Sequence, residues 1–208
     1  MGALMSREVC YICRRAKVAC LCDRIEPQAN SVNVIILQHP DEVSNAKGSA
    51  IIAKLGLQQY QCWVGEDFTR HRNLNHLIKT AAADMLVLYP AEQAQGLQLM
   101  PVGQVKHLLI IDATWRKAKR IWQINPQLRH LNSAKLVTDK ASNYRIRKVP
   151  EPGYLSTIEA IVESLRWLEC KPQAYQPLLT LFEEMIDFQI KSMGRGAFEQ
   201  NYKGDDEV

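Results

Sequence analysis

No run of about 18 or more apolar residues occurs in this sequence, which argues against a membrane-spanning helix. No Gly-x-Gly-x-x-Gly follows a predicted strand and no Gly-x-x-x-x-Gly-Lys occurs. A Rossmann dinucleotide site, an ordinary Rossmann-type methyltransferase and a P-loop are therefore disfavoured. The Gly-x-Ser-x-Gly elbow of serine hydrolases is missing too. The N-terminus has no long apolar stretch of the kind a secretory signal needs, so the expected compartment is the cytosol, where thiols stay reduced. Internal repeats and low-complexity segments are also lacking. What remains is a globular composition: 208 residues, 47% hydrophobic and 23% charged, enough for one sizeable core and a small appendage. The net charge of +4 is mild, but the basic residues cluster, which points to a polyanionic partner.

The chain is organised around the stretch from Leu108 to Trp122. Leu108 to Ile111 is unbroken apolar sequence, as in a strand buried on both faces of a parallel sheet, and it stops at Asp112. From Thr114 the period turns helical, with Ala118, Ile121 and Trp122 on one face and Arg116, Lys117, Lys119 and Arg120 mostly elsewhere. A carboxylate thus sits where a buried strand ends and a basic helix begins, the end of an open α/β sheet that binds ligands.

Further strands are expected at Val32 to Leu37, Tyr60 to Val64, Met85 to Leu88 and Lys135 to Thr138. The first ends in Gln38-His39-Pro40 and the third in Tyr89-Pro90, where proline stops the ladder. His39 could touch a ligand or only bond within its own loop. Tyr144 to Lys148 alternates, placing Arg145 and Arg147 on one side if extended. Helices are expected from Ser44 to Leu55, closed by Gly56, from Ser156 to about Leu168, and from Tyr175 to Met193. Ser156-x-x-Glu159 has the spacing of a capping box. Arg70 to Ala82 reads as a polar helix or loop whose Arg70, His71, Arg72, His76 and Lys79 could face nucleic acid. The acidic tail Asp205-Asp206-Glu207 is expected to be disordered. Alternating strands and helices predict an α/β fold, mostly parallel, whose strand ends form one crevice.

Cys10, Cys13, Cys20 and Cys22 fall within thirteen residues. In a reducing compartment, thiols this close suit a structural zinc ion; local disulfides or free thiols are the alternative. Arg14, Arg15, Lys17 and Arg24 decorate this knuckle. Cys62 and Cys170 stand alone and read as small buried hydrophobes. Pro27 to Ser31 reads as a linker, dividing a zinc-binding four-cysteine segment at 1–28 from a main domain at 29–208.

Asp112-Ala113-Thr114-Trp115 resembles the Asp-x-Thr-Trp signature of the DTW-domain proteins, with Ala113 in place of a commoner glycine. Tyr144-Arg-Ile-Arg147 followed by Leu155-Ser-Thr-Ile-Glu-Ala160 resembles the family's later block. Leu37-Gln-His-Pro40 and the four cysteines resemble its N-terminal features. The ordered set runs from about Cys10 to Trp167 and is most similar to the bacterial tRNA-uridine aminocarboxypropyltransferases. Ser44 to Ser49 fits the family's threonine-containing loop only loosely.

The resemblance implies a SPOUT-like, trefoil-knotted α/β domain using S-adenosylmethionine. The implied reaction moves the 3-amino-3-carboxypropyl group to N3 of a tRNA uridine and releases methylthioadenosine. On that reading Leu37, Gln38, His39, Pro40, Tyr89, Pro90, Asp112, Thr114, Trp115 and Leu155 line the S-adenosylmethionine site. The helix N-terminus at Ser156 and Thr157 offers N–H groups to the arm's carboxylate. Asp112 takes the uridine N3 proton, with Glu159 a second catalytic candidate. From the residues alone, Asp112 could equally cap the next helix, Glu159 could serve only the capping box, and Trp115 could be core. Arg116, Lys117, Arg120, Arg145 and Arg147 are candidate phosphate contacts or solvated charges. An RNA methyltransferase of the same fold and a non-catalytic zinc-containing RNA-binding protein are the competing readings. A monomer is favoured, because the terminal helix could cover the surface that related knotted enzymes use to pair.

Overall fold

The computed structural model describes residues 8–138, 142–147 and 154–202. Its centre is a six-stranded sheet in the order β2-β1-β5-β3-β6-β4. The strands are β1 (Asn33–Gln38), β2 (Tyr60–Val64), β3 (Met85–Leu88), β4 (Gln95–Gly96), β5 (His107–Asp112) and β6 (Asn132–Lys135). Every pairing is parallel. Six helices accompany it: α1 (Ala50–Gly56), α2 (Arg72–Ala81), α3 (Trp115–Ile124), α4 (Thr157–Leu168), α5 (Gln176–Met193) and α6 (Arg195–Tyr202).

Strand periodicity sorts the core into two layers. Val34, Ile36, Leu86, Leu108 and Ile110 join Ile52 of α1, Ile161 and Leu165 of α4, and Leu178 and Phe182 of α5. Ile35, Leu37, Val87 and Leu109 point the other way, onto Leu74 of α2 and Ile121 and Trp122 of α3. A strand covered on both faces has no solvent side, hence the unbroken apolar runs in β1, β3 and β5. Each such side chain contributes about 1.5–3 kcal/mol when fully buried.

The strand ends are uneven, and that shapes the site. β1 and β5 run level to the pair Gln38–Asp112. β3 stops earlier: Leu88 pairs with Ile110, and the chain leaves through Tyr89-Pro90. Proline offers no N–H to prolong the ladder. Beyond Leu88 the sheet therefore has a step, walled by the end of β5 on one side and by the segment after β6 on the other.

Several expectations are corrected. The helix expected from Ser44 begins only at Ala50, because the Asn45 side chain accepts the Lys47 N–H and holds a turn in place of a first helical coil. The strand expected at Lys135 to Thr138 lies earlier, at β6, and 136–138 is irregular. Tyr144 to Arg147 is a turn closed by Arg147 N–H on Tyr144 O, so Arg145 and Arg147 do not share a strand face. Cys170 is exposed rather than buried, in a turn with φ of 53° after α4, while Cys62 is half-buried. The polar segment from Arg70 forms a helix, α2. The acidic tail from Asp205, Lys148 and Pro150 to Gly153 lie outside the described residues.

The segment read as a linker is fastened. Asn30 Nδ2 donates to Val32 O and Gln59 O, its Oδ1 accepts from Gln59 N–H, and the Glu169 carboxylate accepts from Ser31 and Val32 N–H. Leu21, inside the four-cysteine segment, is 2% exposed and belongs to the main core. Among the described residues no helix is long and apolar enough to cross a membrane.

Candidate active site

Asp112 ends β5 with 7% of its surface exposed. Its Oδ2 accepts from Gln38 Nε2 at 2.9 Å and its Oδ1 from Thr157 Oγ1 at 2.6 Å. It does not cap α3: the N-cap is Thr114, and no side chain caps that end. Burial pushes the Asp112 carboxyl above its usual range, while the two hydrogen bonds from Thr157 and Gln38 pull the other way. Each carboxylate oxygen keeps a second lone pair for a further donor.

Two clefts adjoin at this point, sharing Ala113, Arg147 and Thr157. The larger, about 430 Å³, fills the step beyond β3 and is bounded by Leu88, Tyr89, Pro90, Ile110, Leu136 and Leu155. Trp115 stands at it 40% exposed, edge-on to Tyr154 with ring centroids 4.6 Å apart, so it is not core. The smaller, about 160 Å³, is polar and contains Asp112 with Glu42, Lys47, Ser49, Thr114 and Tyr144. The larger volume suits a small-molecule ligand, whose sites usually span about 300–1,000 Å³.

Of the residues expected to hold the co-substrate, Tyr89, Pro90, Trp115, Leu155 and Thr157 line the larger cleft, and Asp112 and Thr114 the smaller. Leu37 does not: it is fully buried in the layer facing α2 and α3. Gln38 turns to Asp112, and its Oε1 faces the Cys62 thiol at 3.7 Å. His39 is 5% exposed and stays within its surroundings. Its Nδ1 accepts the Asp41 N–H, so the Nε2 proton points to Glu66, 2.5 Å away. Pro40 opens a short 3-10 turn and is exposed.

The start of α4 is largely spoken for. Ser156, 1% exposed, gives its N–H to Glu159 Oε2, and Ser156 Oγ accepts the Glu159 N–H, completing the capping box. Ser49 Oγ accepts the Ile158 N–H. The Ser156 amide is therefore not open to a ligand. Glu159 also accepts from Ser142 Oγ and Asn143 N–H, and so anchors the turn that carries Tyr144 and Arg147. Its carboxylate serves three donors of its own chain and does not line either cleft.

The basic residues divide. Lys117 pairs with Asp41, Arg120 with Glu66 and Arg145 with Asp187. Lys117 beside Asp41 holds that carboxyl below its usual range, and His39 with Arg120 does the same for Glu66. Arg116 and Lys119 are exposed, and among the described residues no acid pairs with them. Arg147 lies over the Tyr144 ring, 5.7 Å from its centroid, and reaches both clefts. Lys47, Tyr154 and Leu136 were missed by sequence reasoning. Lys47 and Leu136 lie in segments that periodicity assigns to a helix and a strand but that the structure leaves irregular, and Tyr154 stands two residues before the α4 N-cap.

The sulfurs of Cys10, Cys13, Cys20 and Cys22 all lie within 4.8 Å of one another, and none forms a disulfide. The Cys10–Cys22 and Cys13–Cys20 separations are both 3.7 Å. A tetrahedron with metal–sulfur bonds of about 2.3 Å has edges of about 3.8 Å, close to these two separations, so the four thiols could hold a metal ion. Backbone N–H groups of Cys13 and Ile12 hold the Cys10 thiol down at about 6, while burial and the neighbouring thiols push Cys22 up, so the first charge of the cluster falls on Cys10.

Residues 7–190 match the family model described as DTW domain. The chain is 33% identical, over 95% of its length, to a Drosophila melanogaster tRNA-uridine aminocarboxypropyltransferase 2, of which it spans 80%. It is 29% and 28% identical to proteins of that name from Macaca fascicularis and Mus musculus, spanning 89% of this chain and 64% of each of them. The likeness thus reaches animal proteins. No solved structure matches. A match over nearly the whole described chain, with Asp112 to Trp115 at the junction of two clefts, leads to one statement: the chain belongs to the DTW domain family.

Proposed function

We propose that this protein transfers the 3-amino-3-carboxypropyl group of S-adenosylmethionine to N3 of a uridine in tRNA. The observation that carries this reading is the buried Asp112 carboxylate, held from two sides where a large cleft meets a small polar one. The larger cleft takes the co-substrate, which supplies an activated alkyl carbon and departs as methylthioadenosine. Leu88, Ile110 and Leu136 exclude water from its apolar parts. Arg147, shared by both clefts, is the cation placed to meet the carboxylate of the amino-acid arm.

The small cleft takes the nucleobase. Uridine N3 carries a proton that must leave as the new bond forms, and Asp112 accepts it. Its depleted solvation makes the carboxylate a stronger base than a surface one, and Gln38 and Thr157 fix its plane. Glu159 acts on the site only by anchoring the turn that carries Arg147.

The four N-terminal thiols hold zinc, a reading supported by the close grouping of their sulfurs. A SPOUT-like knotted topology is the reading that the family resemblance favours, on a parallel sheet in which β5 lies between β1 and β3. A monomer is supported by α6, whose Phe198 and Tyr202 close over the main core.

The test supplies unmodified tRNA with S-adenosylmethionine labelled in the methyl or in the carboxypropyl carbons. Label arriving only from the carboxypropyl carbons is expected. Label arriving only from the methyl, or from neither, overturns the proposal.

A further inference from the structure

Residues 45–48 reach the rim of the Asp112 cleft without forming a helix or a strand. Such a segment ordinarily moves, yet here three consecutive carbonyls are held from three directions. Ala46 O accepts from Gln189 Nε2 of α5 at 3.0 Å, Lys47 O from the Tyr144 hydroxyl at 2.6 Å, and Gly48 O from Arg15 Nη2 at 3.1 Å. The turn closes on itself through Lys47 N–H on Asn45 Oδ1 and Gly48 N–H on Asn45 O.

Arg15 is the unexpected member. It lies between Cys13 and Cys20 and is 6% exposed. Its guanidinium reaches a neutral carbonyl, and among the described residues no carboxylate pairs with it. It lies beside Cys13, whose thiolate form favours the guanidinium, so one side chain answers to both the knuckle and the loop. What a guanidinium adds is a strong, oriented hydrogen bond to one carbonyl. The other end of its short tether is set by the cysteine cluster, and Cys10 O and Arg15 O are themselves tied to the Arg14 and Cys10 N–H groups.

We propose that Arg15 is a positioning residue for the transfer reaction, coupling the cysteine knuckle to the 45–48 loop and so setting the wall of the cleft that faces Asp112. The proposal rests on the functional reading above for its kinetic arm and on geometry alone for its structural one. The loop carries its own reporter, since trypsin cleaves after Lys47. In Arg15→Met, cleavage after Lys47 accelerates about tenfold, the worth of one hydrogen bond from a charged donor. Turnover on tRNA falls by about the same factor, while metal content and binding of S-adenosylmethionine stay as in the wild type. Arg15→Lys, which keeps a charged donor, restores part of both. Arg14→Met, at an exposed neighbour, leaves the cleavage rate unchanged.

Should Arg15→Met fail to fold, Gln189→Leu releases the Ala46 carbonyl from the opposite side and is expected to give the same two effects. Unchanged cleavage in these variants overturns the proposal, as does faster cleavage with wild-type turnover. A wild-type protein that transfers no label would refute the assigned reaction, while the cleavage rates would still report on the clamp.

Discussion

At the scale of single residues, the chemistry depends on how Asp112 is held. It is deprived of water, yet each oxygen has one protein donor. Asp112→Asn removes the proposed proton acceptor with little change of shape, and transfer is expected to fall by roughly 10²–10⁴-fold while tRNA binding persists, as measured by single-turnover assays and filter binding. Stability should move the other way. A carboxyl whose pKa is raised by folding stabilises the native state only at low pH, and that contribution is lost as pH rises through the folded value. At neutral pH the asparagine variant should therefore melt higher than the wild type, and the gap should close as pH falls towards the ordinary 3.8. Gln38→Leu takes away one of the donors that favour the ionised form. The acid limb of its pH–rate profile is expected to move to higher pH, and an unmoved limb would leave Gln38 with no effect on Asp112.

At the scale of elements, packing sets the limits. The C-terminal end of α1 meets α5 with no room to spare. A Cβ on Gly56 would lie 2.3 Å from Leu178 Cδ2 and 2.9 Å from Ile25 Cδ1. Gly56→Ala is expected to lower stability by about 1–3 kcal/mol in urea denaturation, through overpacking rather than through helix propensity, which favours alanine. The start of α4 was legible from Ser156 and Glu159 alone, because a capping box is local in sequence. What Glu159 does besides was not legible. Its second oxygen holds Asn143, sixteen residues away in sequence, and only folding brings them together. The helix expected from Ser44 began late for a related reason: the Asn45 side chain offers the backbone a competing bond that a periodicity cannot weigh.

At the scale of the whole molecule, charge and metal govern behaviour. Each free cation that meets a phosphate adds about one unit to the slope of log affinity against log salt, whereas a cation already paired adds less. Arg116→Ala is therefore expected to reduce that slope for tRNA, and Arg145→Ala, whose partner is Asp187, to change it little. Equal reductions would mean that the ion pairs seen here do not survive tRNA binding. Chelating the zinc proposed for the four-cysteine cluster should expose its thiols to a thiol reagent and lower the melting temperature, because Leu21 ties that segment into the core.

By itself, the sequence determined the strands β1, β2, β3 and β5, that the sheet is parallel with helices between its strands, and that four clustered thiols and one strand-end carboxylate are the residues to watch. These are matters of short-range period and spacing. The tertiary structure decided the rest. β3 stops two residues short of β5, which gives the crevice expected at the strand ends its step. Long-range partners divided cations of similar appearance into paired and free, and joined the cysteine knuckle to the active-site loop through a buried arginine. Such outcomes depend on residues far apart in the chain, and no local pattern records which of them will meet.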